Sequence, residues 1–303
     1  MKSSHHAHDP ASQLGIGGLM AGGTALALTG IIAVSPVAPA LGGAVPPSVQ
    51  LTASLDLFGP WADVFNTTLA NATDVFDAIK EADFGFPGSL QEALAATTFI
   101  GVDVATPEGS DLAAQTLDWS HLWGLQYLAG MDMGMGVVPV DAAEPAATIL
   151  TLLSSPLSGV LMGLIGPLVS PGVELINSIG SIVDSIGDGD FEAALQGLLA
   201  APANVVGAFF NGATLNLDAL VPLLNDALQV PEGNAVLGAS FDFGGLFTPG
   251  VTDSGSIGGS IYNSLGLDLQ MVGMGMPYSA PGEGIGLIAS LVNLLDMFVA
   301  GTD

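Results

Sequence analysis

Phe58, Ala62, Phe65, Leu69, Ala72, Phe76 and Ile79 recur at alternating spacings of four and three, the period of one helix face. Gly59-Pro60 suits a helix opening, so a helix is expected from Pro60 to about Ala82, with Asp63, Asn66, Asn71, Asp74 and Asp77 on its opposite face. The stripe covers fewer than four heptads, too few for a coiled coil, so it is expected to pack into a core. Pro87-Gly88-Ser89 should start a short helix with Leu90, Ala93 and Leu94. Ser110 or Asp111 is expected to cap a helix bearing Leu112, Leu117, Trp119, Leu122, Trp123, Leu125, Tyr127 and Leu128. Its two tryptophans would suit a membrane interface; core packing is the role expected of them. His121, between them, has no ligand partner nearby and reads as structural or exposed.

Residues 145–173 carry no charge over 29 positions, a length that would span a bilayer. Pro156, Pro167 and Pro171 interrupt it, and an interior proline costs a helix about 3 kcal/mol. A broken hairpin of short apolar helices is therefore expected, serving as core or as an insertion element. Ile176, Ile179, Ile182, Val183 and Ile186 extend the helical stripe to the stop Gly187-Asp188-Gly189-Asp190. Asp190 then caps a helix through Phe191, Ala194, Leu195, Leu198 and Leu199. Asp184, Asp188, Asp190 and Glu192 lack the glycine and bidentate Glu offsets of a calcium loop, so a helix–turn–helix is the reading. Val205, Val206, Phe209 and Phe210 form a further apolar patch, and Asn216 or Asp218 begins a short helix with Leu220, Leu223, Leu224 and Leu228. Alternation then appears, from Val236 to Phe243 and in Leu265-Gly266-Leu267-Asp268-Leu269, which signals half-buried strands. A helix from Gly286 to Phe298 closes the chain.

The fold class expected is mainly α: a multi-helix bundle of short helices broken by Pro and Gly, with a small β-hairpin or sheet in the C-terminal quarter. The regions are 1–40, 41–140 (N-terminal helical), 141–235 (apolar helical) and 236–303 (Gly/Met-rich, β-containing, with the closing helix). Residues 1–40 read as a signal peptide. An apolar stretch runs from Leu14 to Val34, and Ala38-x-Ala40 is a small-residue cleavage pattern. The His5-His6-x-His8 cluster falls before that stretch and is read as part of the leader.

Composition sharpens the picture. Of 303 residues, 29 are acidic and 2 are basic (Lys2 and Lys80), giving a net charge of -27. A phosphate backbone would be repelled, so nucleic acid is excluded as a partner. The chain has no Cys, which removes disulfides, thiol catalysis and zinc–thiolate sites. Charged residues make up only 10%. A compact monomer of this mass would expose roughly 11,700 Å², one charge per roughly 380 Å². Such sparse cover fits either a secreted protein rich in Ala and Gly whose surface is covered by Ser, Thr, Asn and Gln, or one whose surface meets lipid, cell-wall polymer or sister subunits. Met131-x-Met133-x-Met135 and Met271-x-x-Met274-x-Met276 read as flexible apolar surface rather than a copper site. No nucleophile elbow, phosphate loop or dinucleotide fingerprint is present. With a single His beyond the leader and no Arg, a hydrolytic triad or phosphate clamp is hard to build. No catalytic, cofactor-binding or metal-binding residue is assigned, no cofactor is expected, and the chain is not read as an enzyme.

Val49-Gln50-Leu51-Thr52-Ala53 with Trp61–Asn71 (WADVFNTTLAN) resembles the lead of the GjpA-type outer-membrane porins of mycolic-acid-containing actinobacteria. The likeness continues through Ala203–Asp218 (ANVVGAFFNGATLNLD), Phe243–Gly250 (FGGLFTPG) and Gly258–Gly266 (GGSIYNSLG), and covers most of residues 45–270. The C-terminal phrases recur in other exported envelope proteins of these bacteria, so they point to a compartment more than to an activity. The resemblance implies an exported protein of the outer membrane or cell wall and a channel function, with no catalytic or pore-lining residue to carry over. The chain departs from the family in its Met-rich segments and its lack of arginine. A β-barrel needs many alternating segments of about ten residues, and the sequence offers two to four. A pore would have to be helical and oligomeric, or extended elsewhere on assembly, and its carboxylates predict cation preference. The rival expectation is a non-catalytic module that binds envelope lipid or a protein partner. Membrane or cell-wall lipid is the expected partner, with self-association as a further option.

Overall fold

Asp56 opens the described chain: its carboxylate accepts the backbone N–H groups of Phe58 and Gly59 at 3.1 and 2.7 Å, starting helix α1 (Gly59–Glu81). In the computed structural model, residues 56–82, 89–132, 134, 144–228, 235–270 and 277–300 are described. The leader, its cleavage pattern and most of both methionine tracts lie outside them. The described residues form one compact unit.

Helices α2 (Leu90–Thr98), α3 (Pro107–Ala113) and α4 (Trp119–Leu128) follow, capped by Ser89, Thr106 and Asp118. The single helix expected after Ser110 or Asp111 is thus two. Asp118 accepts the N–H groups of Ser120 and His121, and this cap restarts the helix after the turn at 114–117. Trp123 is buried as expected, whereas Trp119 is exposed.

Helix α5 (Ala146–Leu153) ends at Ser154-Ser155, and α6 (Pro156–Gly187) begins with Pro156 in its first turn. The expected break at Pro156 is present, but those at Pro167 and Pro171 are not: α6 runs on for 32 residues. The two prolines remove the N–H groups that would reach the carbonyls of Gly163 and Pro167. Packing outweighs that loss. Gly163 lies against the closing helix, and the Ser170 hydroxyl donates to the carbonyls of Phe243 and Gly244, at 3.2 Å each. The Gly187–Asp190 turn leads into α7 (Phe191–Asn211), where Asp190 accepts the N–H of Ala193 as the sequence indicated.

Gly212, at φ +90°, turns the chain from α7 into β1 (Ala213–Asn216), a conformation that favours glycine. A 3₁₀ turn (Asp218–Leu220) and α8 (Val221–Leu228) precede β2 (Ala235–Phe243), β3 (Leu265–Gln270) and β4 (Tyr278–Ala280). The strands form an antiparallel sheet in the order β1-β2-β3-β4, with Leu215 opposite Phe241, Ala239 opposite Leu267 and Leu267 opposite Ala280. Helix α9 (Leu287–Ala300) closes the chain. The fold is mainly α with a small C-terminal sheet.

One core gathers Phe99, Val104, Leu117, Leu122, Leu125 and Met297; a second joins Val75 and Met162 to Ile285 and Ala289. The expected core stripe of α1 is largely absent from both. Phe58, Phe65, Leu69 and Phe76 are each more than half exposed, and Val75, from another face, is the buried residue of α1.

Candidate functional site

Three helices turn small or polar residues inward and large apolar ones outward. On α1 the inward row is Val64, Thr68 and Asn71. Asn211 of α7 donates to Thr68 Oγ1 at 3.0 Å and accepts from Asn71 Nδ2 at 3.1 Å. At the other end Gln196 donates to the Asp56 carbonyl at 2.8 Å, so α1 and α7 run parallel. A Cβ on Gly207 would stand 2.7 Å from Val64 Cγ2; glycine there lets the two helices close up. On α6 the buried row is Gly159, Gly163, Gly166, Ser170 and Ser178 with Met162, Pro167 and Val173. On α7 it is Ala194, Ala203, Gly207 and Ala208. Outward stand Phe58, Trp61, Phe65 and Leu69 from α1, Leu161, Leu164, Ile165, Leu168, Ile176 and Val183 from α6, and Phe191, Leu198 and Val206 from α7. A water-facing helix normally shows the reverse arrangement, whereas small residues between helices and large ones outside is how helices associate in lipid. By length and composition α6 and α7 are the two candidate membrane spans among the described residues, with mean hydropathies of 1.6 and 1.5. Only 39% and 22% of those windows are buried, so most of each apolar window stands outside the packed interior.

A second centre forms where α4 meets the sheet. Asp118 Oδ1 accepts from the Ser120 and His121 N–H groups at 2.8 and 3.2 Å and from Ser120 Oγ at 2.5 Å, while Oδ2 pairs with His121 Nδ1. His121 Nε2 lies 2.8 Å from the Leu265 carbonyl. Both ring nitrogens are engaged, and His121 thereby ties α4 to β3. Burial pushes the Asp118 carboxyl up, but the bonds and charge from His121 and Ser120 outweigh it and hold the group below the usual aspartate range. Tyr262 meets the His121 ring edge-on at 5.4 Å, and burial together with the Asp118 charge pushes its hydroxyl up to about 12. Trp123 stacks on Tyr127 at 5.5 Å and lies 4.7 Å from Tyr278, whose hydroxyl donates to the Ser120 carbonyl at 2.5 Å. Between them is an apolar cavity of about 160 Å³, walled chiefly by Trp123, Tyr127, Tyr262, Leu267, Leu269 and Tyr278.

Acidic groups line two other hollows. Asp242 and Glu283 share one of about 280 Å³ beside Gly212 and Thr248. Burial pushes both carboxyls up; the Asp118 and Asp242 charges push Glu283 further, and a bond with Thr214 opposes the rise at Asp242. A wider hollow, about 560 Å³, is bordered by Asp74, Asp77, Glu81 and Asp296. Lys80 bonds Asp77 at its edge, at 2.5 Å. Among the described residues no group of three His, Asp or Glu could hold a metal ion. Asp184, Asp188 and Asp190, set aside as calcium ligands, lie at the α6–α7 turn.

The sequence reading assigned no site and missed the Asp118–His121 pair, although an Asp three residues before a His at a helix start is a legible cap. Asp242 and Glu283, far apart in the chain, left no local signal. No family model, curated protein or solved structure matches the chain.

Proposed function

We propose that this is an exported cell-envelope protein that docks on or inserts into lipid through the inverted helices α1, α6 and α7. The supporting observation is the placement of small and polar residues inward and Leu, Ile and Phe outward on three adjoining helices. Helix α7, at about 1.5 Å per residue, is as long as a bilayer hydrocarbon core is thick, about 30 Å. The resemblance to envelope porins points to the same compartment. With a net charge of -27, the chain would be repelled by anionic headgroups, so the favoured surface is uncharged lipid. The test is flotation of the full chain with phosphatidylcholine or neutral glycolipid vesicles. Co-flotation and a need for detergent on extraction are expected. A monodisperse protein at high concentration without detergent, left at the bottom of the gradient, would overturn the reading.

A second reading is that several copies assemble into a cation-preferring channel. It draws on the family resemblance and on the charge distribution, in which Lys80, the cation of the described residues, is already held by Asp77. Reversal potentials across a planar bilayer in a salt gradient test it; anion selectivity, or silence from purified protein, counts against it.

A further inference from the structure

The hollow between α4 and strands β3 and β4 differs in kind from the two acidic ones. Its volume is about 160 Å³, close to that of an engineered apolar cavity of about 150 Å³ that stays dry and takes up benzene. Residues opposite one another in a ladder share a face of the sheet, so the pairs Ala239–Leu267, Leu267–Ala280 and Leu269–Tyr278 form one apolar row. Trp123 and Tyr127, one turn apart on α4, meet that row with stacked rings. The wall is carbon almost throughout. The Ser120 hydroxyl and His121 Nδ1 are engaged by Asp118, His121 Nε2 by the Leu265 carbonyl, and the Tyr278 hydroxyl by the Ser120 carbonyl. Trp123 Nε1 is sealed inside the wall, out of reach of a guest. Tyr127, Leu128, Leu267 and Leu269 are half-buried, so the cavity lies close to the surface. Water finds no polar partners there, and an empty void forfeits the contacts its walls would make with a guest. A hydroxyl group or a charge would shed its hydration without compensation.

We propose that this cavity is a binding site for a compact hydrocarbon group, the size of a benzene or toluene ring and bare of hydrogen-bonding atoms. A free aromatic hydrocarbon and the end of a lipid alkyl chain both supply that chemistry. The rings of Trp123, Tyr127, Tyr262 and Tyr278 offer such a guest face and edge contacts. The site is separate from the outward faces of α1, α6 and α7, so loss of vesicle flotation would leave it intact, and either reading can fail alone.

The test uses the full chain with the exposed tryptophans replaced, Trp61→Phe and Trp119→Phe, leaving Trp123 as the only indole. Titration with toluene should change its emission saturably. Phenol, of the same size but with a hydroxyl group, should bind about tenfold more weakly or worse, because nothing in the cavity takes the hydroxyl. Benzoate should leave the emission unchanged. Lysophosphatidylcholine below its micelle concentration separates the two sources: competition with toluene makes a lipid chain end the guest, and toluene binding that it leaves untouched reserves the site for free hydrocarbons. The proposal holds in either case. Ala280→Leu, which fills the cavity, should abolish the toluene signal. Should that variant not fold by circular dichroism, Leu269→Phe at a half-buried wall position serves the same purpose. A linear, unsaturable response to toluene overturns the proposal. So does phenol binding as tightly as toluene, or saturation that the filling variants leave untouched.

Discussion

Replacing Gly163 by alanine sets two known effects against each other. In a helix interior Gly→Ala normally stabilises by about 1 kcal/mol, because alanine loses less backbone freedom on folding. At Gly163, however, the new Cβ would lie 2.7 Å from Leu287 Cα, 2.7 Å from Ser290 Oγ and 2.9 Å from the Leu287 backbone nitrogen. Those are mainly backbone atoms of α9, which cannot swing aside like a side-chain tip. Ordinary contact needs several tenths of an ångström more, so α6 and α9 must separate and loosen the packing of Met162 on Ile285 and Ala289. An extra methyl group forced into a filled interior costs about 1–3 kcal/mol. With a rigid neighbour the upper part of that range applies, leaving a net loss of about 1–2 kcal/mol. Gly180, on the same helix, has nothing within 4 Å of the Cβ position, so Gly180→Ala should gain up to about 1 kcal/mol. Chemical unfolding in a mild nonionic detergent, followed by tryptophan emission and far-ultraviolet circular dichroism, measures both. Opposite signs, about 2–3 kcal/mol apart, are expected. Equal upward shifts would refute the close approach of α6 to α9, and with it the orientation that turns the leucines outward.

Three further outcomes follow. The triple variant Leu161→Glu, Leu164→Glu, Leu168→Glu changes side chains already 49%, 51% and 78% exposed; it should keep its circular dichroism but lose vesicle flotation, and flotation at the parent level would count against α6 as the docking face. Asn263→Ala strips the donor shared by the Thr116 and Val251 carbonyls, bonded at 3.0 and 3.2 Å, and should cost about 1–3 kcal/mol in the same unfolding assay, since the buried Thr116 carbonyl loses its partner. Asp242 and Glu283 have folded-state affinities for protons raised by burial, so they favour the fold while protonated and lose that contribution as pH rises through their raised values. Stability should therefore increase as pH falls through their raised values toward the ordinary carboxylate range, then decline at still lower pH as Asp118, held below its usual range by His121, is protonated. The double variant Asp242→Asn, Glu283→Gln should flatten the first limb and leave the second.

Apolar spacing located most of the elements, because it records which residues share a face. It does not record what that face meets. The Phe58–Phe76 stripe has a clear helical period, yet the structure turns it outward, and Thr68 and Asn71 make the contact with α7. Trp119 and Trp123, four residues apart, differ for a similar reason: Trp123 has Tyr127 and Tyr278 to stack on, and Trp119 is exposed. The continuity of α6 through Pro167 and Pro171 was illegible because the compensating contacts come from Phe243, Gly244 and Leu287, far along the chain. Strands β1 and β4, of four and three residues, are too short for alternation to register. The Asp118–His121 pair was within reach of sequence reasoning, since the cap is local. The cavity beside it was not, because it joins α4 to strands almost 150 residues further on.

The two kinds of packing in this molecule differ in what they gain from water. Around Phe99, Leu117, Leu122 and Met297 large apolar side chains are buried, and each removes enough surface to contribute about 1.5–3 kcal/mol. On α6 and α7 the buried residues are mostly glycine, alanine and serine, several of them set against α9, the end of β2 and α1, and their burial contributes far less. What holds these two helices against the rest of the fold is close van der Waals approach with a few hydrogen bonds, from Ser170 to the end of β2 and from Asn211 to α1, the means by which helices associate where no hydrophobic drive acts. The leucine, isoleucine and valine side chains on the outer side of α6 are about half exposed; covering the remainder would be worth on the order of 10 kcal/mol, as much as the net stability of a whole domain. A surface that covers the folded layer and not the unfolded chain stabilises the fold by linkage. The stability of this chain should accordingly rise with the concentration of neutral lipid, and most steeply for α6 and α7, where hydrogen exchange can follow it residue by residue. If lipid leaves exchange in those two helices unchanged while protecting the Phe99–Met297 core, the outward leucines are not where the lipid binds.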